Sequence, residues 1–291
     1  MKIFHYQAPV RNFGDDLNQW LWPRVWPEVE KNNTYDWLIG IGSVLDGRLG
    51  DLPGRKLVLG AGYRPGRLGK PPTKDVTTLA VRGRLTCETL GLDEELARGD
   101  PAVLVAEVWG RASNGGNAVG FMPHYQTSRA YPLRAAVEDA GLLYIDPEGE
   151  AEAVLQAVGS VDRLVTEAMH GAIVADALGV PWKRIGLYNH VREPPGSVDF
   201  KWADWASVYA LDPQPRHLCE LPITARGLVP RAIRRVGRNR RLRRVAVEVR
   251  GAADAAGFQL SNRDLCEQRR LGYLALLEDL GSSVRAESGR G

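Results

Sequence analysis

The sequence is poor in cysteine, in histidine and in long apolar runs. Its 291 residues include three cysteines, Cys87, Cys219 and Cys266, far apart and without CxxC spacing. That excludes a disulfide scaffold or an obvious zinc site, and fits a reducing compartment. No apolar run approaches the ~20 residues needed to cross a bilayer. The N-terminus, MKIFHYQAPV, enters a strand-like run with no signal-peptide pattern, so the cytoplasm is the expected compartment. Hydrophobic residues make up 44% and charged residues 25%, the balance of a globular chain rather than a disordered one.

Net charge is low, +3, but unevenly placed. Arg231 to Arg244 (RAIRRVGRNRRLRR) holds eight arginines and no acid, leaving −5 for the rest of the chain. Such a strip suits a phosphate-bearing surface, whether nucleic acid, anionic lipid or phosphorylated ligand, or is a solvated helix face.

Short apolar runs that stop at glycine or polar residues recur through the first half: KIFHY, DWLIGIGSVL, RKLVLGAG and TLAVRGR. These read as buried parallel strands whose C-terminal ends line a ligand crevice. A second series follows: NAVGFMPHY as a strand, SRAYPLRAAVEDAG as a helix, LLYID as a strand and EGEAEAVLQAVG as a helix. RLVTEA, HGAIVADALG and KRIGLYN continue it as strand, helix and strand. The order predicts an α/β fold of two Rossmann-like domains with a site in the cleft between them, followed by C-terminal helices that pack back on both. The expected boundaries are 1–105, 106–215 and a basic, mostly helical extension, 216–291. GDPAVL is either a domain boundary or the first strand of the second half.

Several residues stand where these strands should end. His170 falls at the start of a helix, where free N–H groups and the helix dipole attract anions; it suits phosphate or carboxylate binding and proton transfer. The alternative is a capping or core histidine. Gly171 would let a ligand approach the backbone. NFGDD places Asn12 and Asp15 at a helix start, either as plain capping chemistry or as ligand orienter and base. Gly42 and Ser43, in a glycine turn, could cradle an anion. Arg82 and Arg84 alternate at a strand end and are expected to share a face and grip one anion. His124 ends a strand in the second half. DFKWADW sets Lys201 beside Trp202, as a phosphate-directed charge or as part of an amphipathic helix with core tryptophans.

In order, NFGDDLN, GIGSVL, VRGRLT, GDPAVL, PHY, MHGAIVADALGVPW and FKWADW resemble the polysaccharide pyruvyl transferase family, bacterial exopolysaccharide members of the succinoglycan type above all. The resemblance runs from the N-terminus to about residue 206, and the arginine-rich tail lies outside it. It implies a glycosyltransferase-B-like arrangement and phosphoenolpyruvate as donor substrate, with no cofactor and no metal. The product would be a pyruvate ketal on a sugar of an exopolysaccharide repeat, with a lipid-diphosphate-linked glycan as acceptor. By resemblance the donor is held by Arg82 or Arg84, His170 and Lys201, while His124 and Trp202 are assigned to the acceptor. Many relatives carry arginine two residues before the histidine; this chain has Ala168. The arginine strip would then dock on anionic membrane at its inner face, and no nucleic acid is expected. The competing readings are a nucleotide-sugar glycosyltransferase with Glu193 as its carboxylate, a nucleic-acid binder using the strip, and a non-catalytic family member.

Overall fold

The structure, a computed structural model, describes residues 1–6, 10–66, 68–110, 117–187, 196–217 and 231–288, with side chains left undescribed at 217–239 and 283–288. Two compact units emerge, neither continuous in sequence. The first joins Met1–Gly110, Glu193–Pro213 and Ser261–Gly291; the second joins Arg111–Arg192 and Gln214–Leu260.

The first unit starts with strand β1 (Lys2–Phe4) and helix α1 (Phe13–Val25). Strands β2 (Trp37–Ile39), β3 (Ser43–Leu45), β4 (Lys56–Leu59), β5 (Gly62–Tyr63) and β6 (Val76–Ala80) follow, then helices α2 (Arg84–Leu90) and α3 (Val105–Val108). Four strands form a parallel sheet in the order β1-β2-β4-β6, and β3 pairs in parallel with β5 just beyond it. Their residues are short apolar runs, and β4 is buried throughout, as parallel strands covered on both faces require. Helix α1 buries Phe13, Leu17 and Leu21, the i, i+4, i+8 spacing of a single helical face. GDPAVL is neither boundary nor strand: Asp100 caps a 3-10 turn, Pro101–Leu104, inside this unit.

The second unit holds β7 (Val119–Met122), α4 (Tyr125–Ala130), α5 (Arg134–Asp139), β8 (Leu143–Tyr144), α6 (Ala151–Gly159), β9 (Arg163–Thr166), α7 (Met169–Ala177) and β10 (Trp182–Gly186). Helix α8 (Ser197–Ala206) then belongs to the first unit, before β11 (Arg216–His217) returns to the second. All five of its strands are parallel, in the order β11-β10-β9-β7-β8. SRAYPLRAAVEDAG forms two helices rather than one. Pro132 lies between α4 and α5, where its ring and missing N–H break the ladder.

Two long C-terminal helices complete the units. Helix α9 (Arg231–Asp254) packs on β9 and α5, and α10 (Arg263–Ser288) belongs to the first unit. On α9, Leu242, Val245, Ala246, Val249, Ala252 and Ala253 form a buried stripe in the core with Val119, Phe121 and Val165. Burying Leu242, Val245 and Val249 contributes roughly 1.5–3 kcal/mol each. Lys183 reaches the far end of α9, donating from Nζ to the Ala252 and Ala255 carbonyls at 2.6 and 2.8 Å. On α10, Tyr273 is fully buried and donates to the Gly99 carbonyl at 2.7 Å.

This division differs from three consecutive blocks. Residues 216–291 are not an extension, because α9 and α10 supply core to different units. Residues 197–206 leave the second block because their tryptophans bury in the first unit. Among the described residues, no helix is long and apolar enough to cross a membrane.

Candidate functional site

Several of the expected site residues lie next to strand C-terminal ends, in both units; Arg84, Lys201 and Trp202 lie on helices. In the first, the edge is set by Asn18, buried on α1. Its side-chain amide donates to the Ile41 carbonyl at 3.0 Å and accepts from the Ile41 N–H at 2.9 Å, pinning α1 to the turn after β2. Six residues earlier, Asn12 caps α1 through its backbone, and its Nδ2 donates to Asp15 Oδ2 at 2.6 Å. Gly42, at φ +117, holds a left-handed conformation that disfavours a side chain. A Cβ there would lie 3.7 Å from Asp15 Oδ1. Asn12, Asp15 and Gly42 are therefore neighbours, and Ser43 opens β3 beside them.

Arg82 and Arg84 do not share a face. Strand β6 ends at Ala80, so alternation no longer applies two residues later, and α2 begins at Arg84. Arg82 is fully buried, donating from Nε to Asp204 Oδ2 at 2.9 Å and from Nη1 to Ser43 Oγ at 2.6 Å. Its guanidinium lies against Gly62, where any Cβ would overlap it. Arg84 is exposed and pairs with Glu94 at 3.0 Å. Removing one member of the buried pair leaves an uncompensated charge, a cost of about 3–5 kcal/mol; the exposed pair contributes about 0–1 kcal/mol.

Helix α8 carries Lys201, Trp202 and Asp204. Lys201 is half-buried. Trp202 is 1% exposed and packs edge-on to Trp205, ring centroids 6.2 Å apart, so it is core and not an acceptor platform. Sequence reasoning missed Asp204, whose only signal was an acid inside a tryptophan-rich helix. It also missed Arg48, Arg64 and Tyr6. Arg48 is bidentate to Asp46, and both arginines lie over the Tyr6 ring, at 5.6 and 5.8 Å. The Asp46 hydrogen bond raises the Arg48 pKa, with Tyr6 and Asp15 adding to it. Burial, reinforced by Asp204, pushes the Cys87 thiol up to about 11.

In the second unit β7 and β9 run side by side, Met122 opposite Thr166, so the residues just after them share an edge. His170 is the second residue of α7, half-buried at its N-terminus. His124 caps α4, its Nδ1 accepting from the Gln126 N–H at 3.3 Å, and its ring tilts over Tyr125 at 4.6 Å. Gly171 has a packing reason. A Cβ there would sit 2.7 Å from Met122 Sδ and 2.9 Å from Thr166 Oγ1, so the missing side chain lets α7 lie on β7 and β9 instead of admitting a ligand. Ala168 is the residue before α7; its N–H donates to Thr166 Oγ1 at 2.9 Å, and its carbonyl accepts from that hydroxyl at 3.0 Å.

Glu167, in the second unit, is another residue that sequence reasoning missed. It is buried, and its carboxylate accepts from the backbone N–H groups of His124 at 3.2 Å and Leu187 at 2.6 Å. One side chain thus ties together the ends of β7, β9 and β10. Lys183, within β10, has its pKa lowered by burial first and then by Arg216 and Arg163. Among the described residues, no three His, Cys, Asp or Glu side chains group as metal ligands. Cys87 is a buried free thiol and Cys266 is buried; Cys219 and Glu193 lie outside the described residues.

Two units of parallel strands and helices, each with polar residues next to strand C-terminal ends, define an α/β protein. The chain belongs to the polysaccharide pyruvyl transferase family. It is 35% identical over 230 residues to the succinoglycan biosynthesis protein ExoV of Rhizobium meliloti (strain 1021), a match covering 78% of this chain and 69% of that protein. No family model and no solved structure matches.

Proposed function

We propose that the protein transfers the pyruvyl group of phosphoenolpyruvate to a sugar of an exopolysaccharide repeat, releasing phosphate and leaving a pyruvate ketal. The carrying observation is the match to a protein named for succinoglycan biosynthesis. The strand-end residues supply chemistry that suits this reaction. In the first step a sugar hydroxyl adds to the central carbon of the donor, while a proton goes to its methylene carbon. Phosphate then leaves with its bonding pair, and a second hydroxyl of the same sugar closes the ketal, losing its proton.

His170, at a helix N-terminus, binds the donor phosphate and supplies the proton. Asp15, oriented by Asn12, is the base toward the sugar hydroxyl. Lys201 adds a point charge to the phosphate. Of the two arginines, Arg84 is the one that can reach a ligand, because its pair with Glu94 is exposed and cheaply given up. Arg82 contributes by holding Ser43 at the glycine turn. Ala168 leaves no cation two residues before His170, so these groups carry the donor's charge. His124 lies on the acceptor side. No resident cofactor enters, and phosphoenolpyruvate is consumed as substrate.

The acceptor is a glycan on a lipid diphosphate at the cytoplasmic membrane face, and the arginine strip brings the enzyme there. Within α9, Arg240, Arg241, Arg243, Arg244 and Val247 are exposed opposite the buried stripe. Near an anionic surface each arginine contributes about 1 kcal/mol. Replacing these four arginines by glutamine should abolish co-sedimentation with anionic vesicles; unchanged partitioning would remove the membrane contact from the reading.

The transfer itself is tested by phosphate release from phosphoenolpyruvate with a panel of acceptor glycans. Release that requires an acceptor and disappears in His170→Ala and Lys201→Ala is expected. Thermal stabilisation by a nucleotide-sugar, with none by phosphoenolpyruvate, would replace the reading with a glycosyltransferase.

A further inference from the structure

We infer that Asp204 is a positioning residue for the donor site, acting through Lys201 on its own helix and through Ser43 beyond Arg82. The inference rests on the donor reading of Lys201. Helix α2 starts after Gly83, which has no side chain to cap it. Its first N–H groups are taken instead by α8, more than a hundred residues later. Asp204 Oδ1 accepts from the Thr86 N–H at 2.8 Å, and Ser207 Oγ accepts from the Arg84 N–H at 3.0 Å. Glycine at 83 makes this approach feasible, because a Cβ would overlap the Asp204 carbonyl.

The second carboxylate oxygen of Asp204 closes the clasp. It accepts from Thr86 Oγ1 at 2.7 Å and from Arg82 Nε at 2.9 Å. Arg82 relays the hold to Ser43 Oγ, and Thr86 Oγ1 accepts from the Tyr63 N–H at 3.0 Å. One carboxylate therefore ties β3, β5, the turn after β6 and the start of α2 to helix α8. Asp204 is fully buried and touches no ligand itself. Its bonds are directional and shielded from water, so α8 cannot turn about its axis or slide without breaking several together. Lys201 lies three residues earlier, on the same helical face. The clasp thus fixes the turn of α8 that carries Lys201, and Ser43 is held by the same carboxylate through Arg82.

The test is protection of Lys201 from acetylation by phosphoenolpyruvate in the full-length protein, read by peptide mass spectrometry with exposed Lys74 as internal reference. Wild type should be protected in a concentration-dependent way. In Asp204→Asn the half-protecting concentration should rise about tenfold or more, since small misplacements of a positioned group are expensive, while Lys74 is unaffected. Ser207→Ala, which loosens the clasp without leaving Arg82 unpaired, should raise it about two- to threefold and covers the case in which Asp204→Asn does not fold. An unchanged half-protecting concentration in a folded Asp204→Asn, or in Ser207→Ala should the first not fold, overturns the inference. Absence of protection in wild type overturns the donor reading, and the inference with it.

Discussion

The strand-end edges of the two units are stabilised in opposite ways. In the first, an ion pair between distant segments, Arg82 and Asp204, fixes the loops. In the second, Glu167 accepts from two backbone N–H groups, and Thr166 and Gly171 let α7 settle on the sheet. The charged edge depends on residues 122 apart in sequence. The other spans shorter separations, Glu167 reaching His124 and Leu187, 43 and 20 residues away. The first edge should therefore be the more fragile to single changes, and damage there should reach farther.

The largest expected effect tests that contrast. Arg82→Ala or Asp204→Ala should lower unfolding free energy by about 3–5 kcal/mol, because either leaves a lone buried charge. Glu167→Gln keeps one acceptor oxygen and should cost only about 1–3 kcal/mol. Urea denaturation of the three variants checks the order. A smaller loss at Asp204 than at Glu167 would reverse the comparison.

Alkaline pH should separate the units by the sign of its effect. Cys87, in the first, has a thiol pKa raised from 9.0 to about 11. Its stabilisation is complete below the unfolded value and is lost as pH rises from 9.0 towards about 11. That loss is at most roughly 2–3 kcal/mol. Lys183, in the second, has a lowered pKa. Between its folded value and 10.5 the unfolded chain binds more protons, so its contribution rises with pH. Stability measured across this range in Cys87→Ala and Lys183→Met should show the wild-type slope shifted in opposite directions.

Next in size is Gly171→Ala. The added methyl meets Met122 and Thr166 in a packed interior and should cost about 1–3 kcal/mol, measured by thermal or urea unfolding. A neutral or stabilising effect would return Gly171 to the role of a ligand-approach glycine.

The same contrast explains what was legible from sequence. Runs such as RKLVLG and RLVTEA announce buried parallel strands, because a strand covered on both faces must be apolar throughout. HGAIVADALG and the closing glycine of LTCETLG likewise mark α7 and α2, since those signals are local. Asn12 and Asp15 were found at a helix start for the same reason. The clasp was not legible, because the Asp204 partners lie across a fold that local pattern cannot assemble. The unit boundaries were missed likewise: α8 and α10 return to a unit begun hundreds of atoms of backbone earlier, and only their buried tryptophans and tyrosine show it. The parity argument for Arg82 and Arg84 failed at one identifiable point, the end of β6 at Ala80.

Of those two arginines Arg84 gives the smallest stability effect, and set against buried Arg82 the sharpest comparison. Arg84 opens α2, where the positive end of the helix dipole makes a cation unfavourable by about 0.3–1 kcal/mol. Its exposed pair with Glu94 returns little. Arg84→Gln should therefore change stability by no more than about 0.5 kcal/mol, and in the favourable direction if the dipole term dominates. Under the proposed donor role, Arg84 serves the ligand and not the fold. Donor KM should accordingly rise about tenfold or more in Arg84→Gln, the scale of one charge-assisted hydrogen bond, while the unfolding midpoint stays in place. A variant with wild-type donor kinetics would leave Arg84 as a surface residue and return the search for the donor's cation to Lys201 alone.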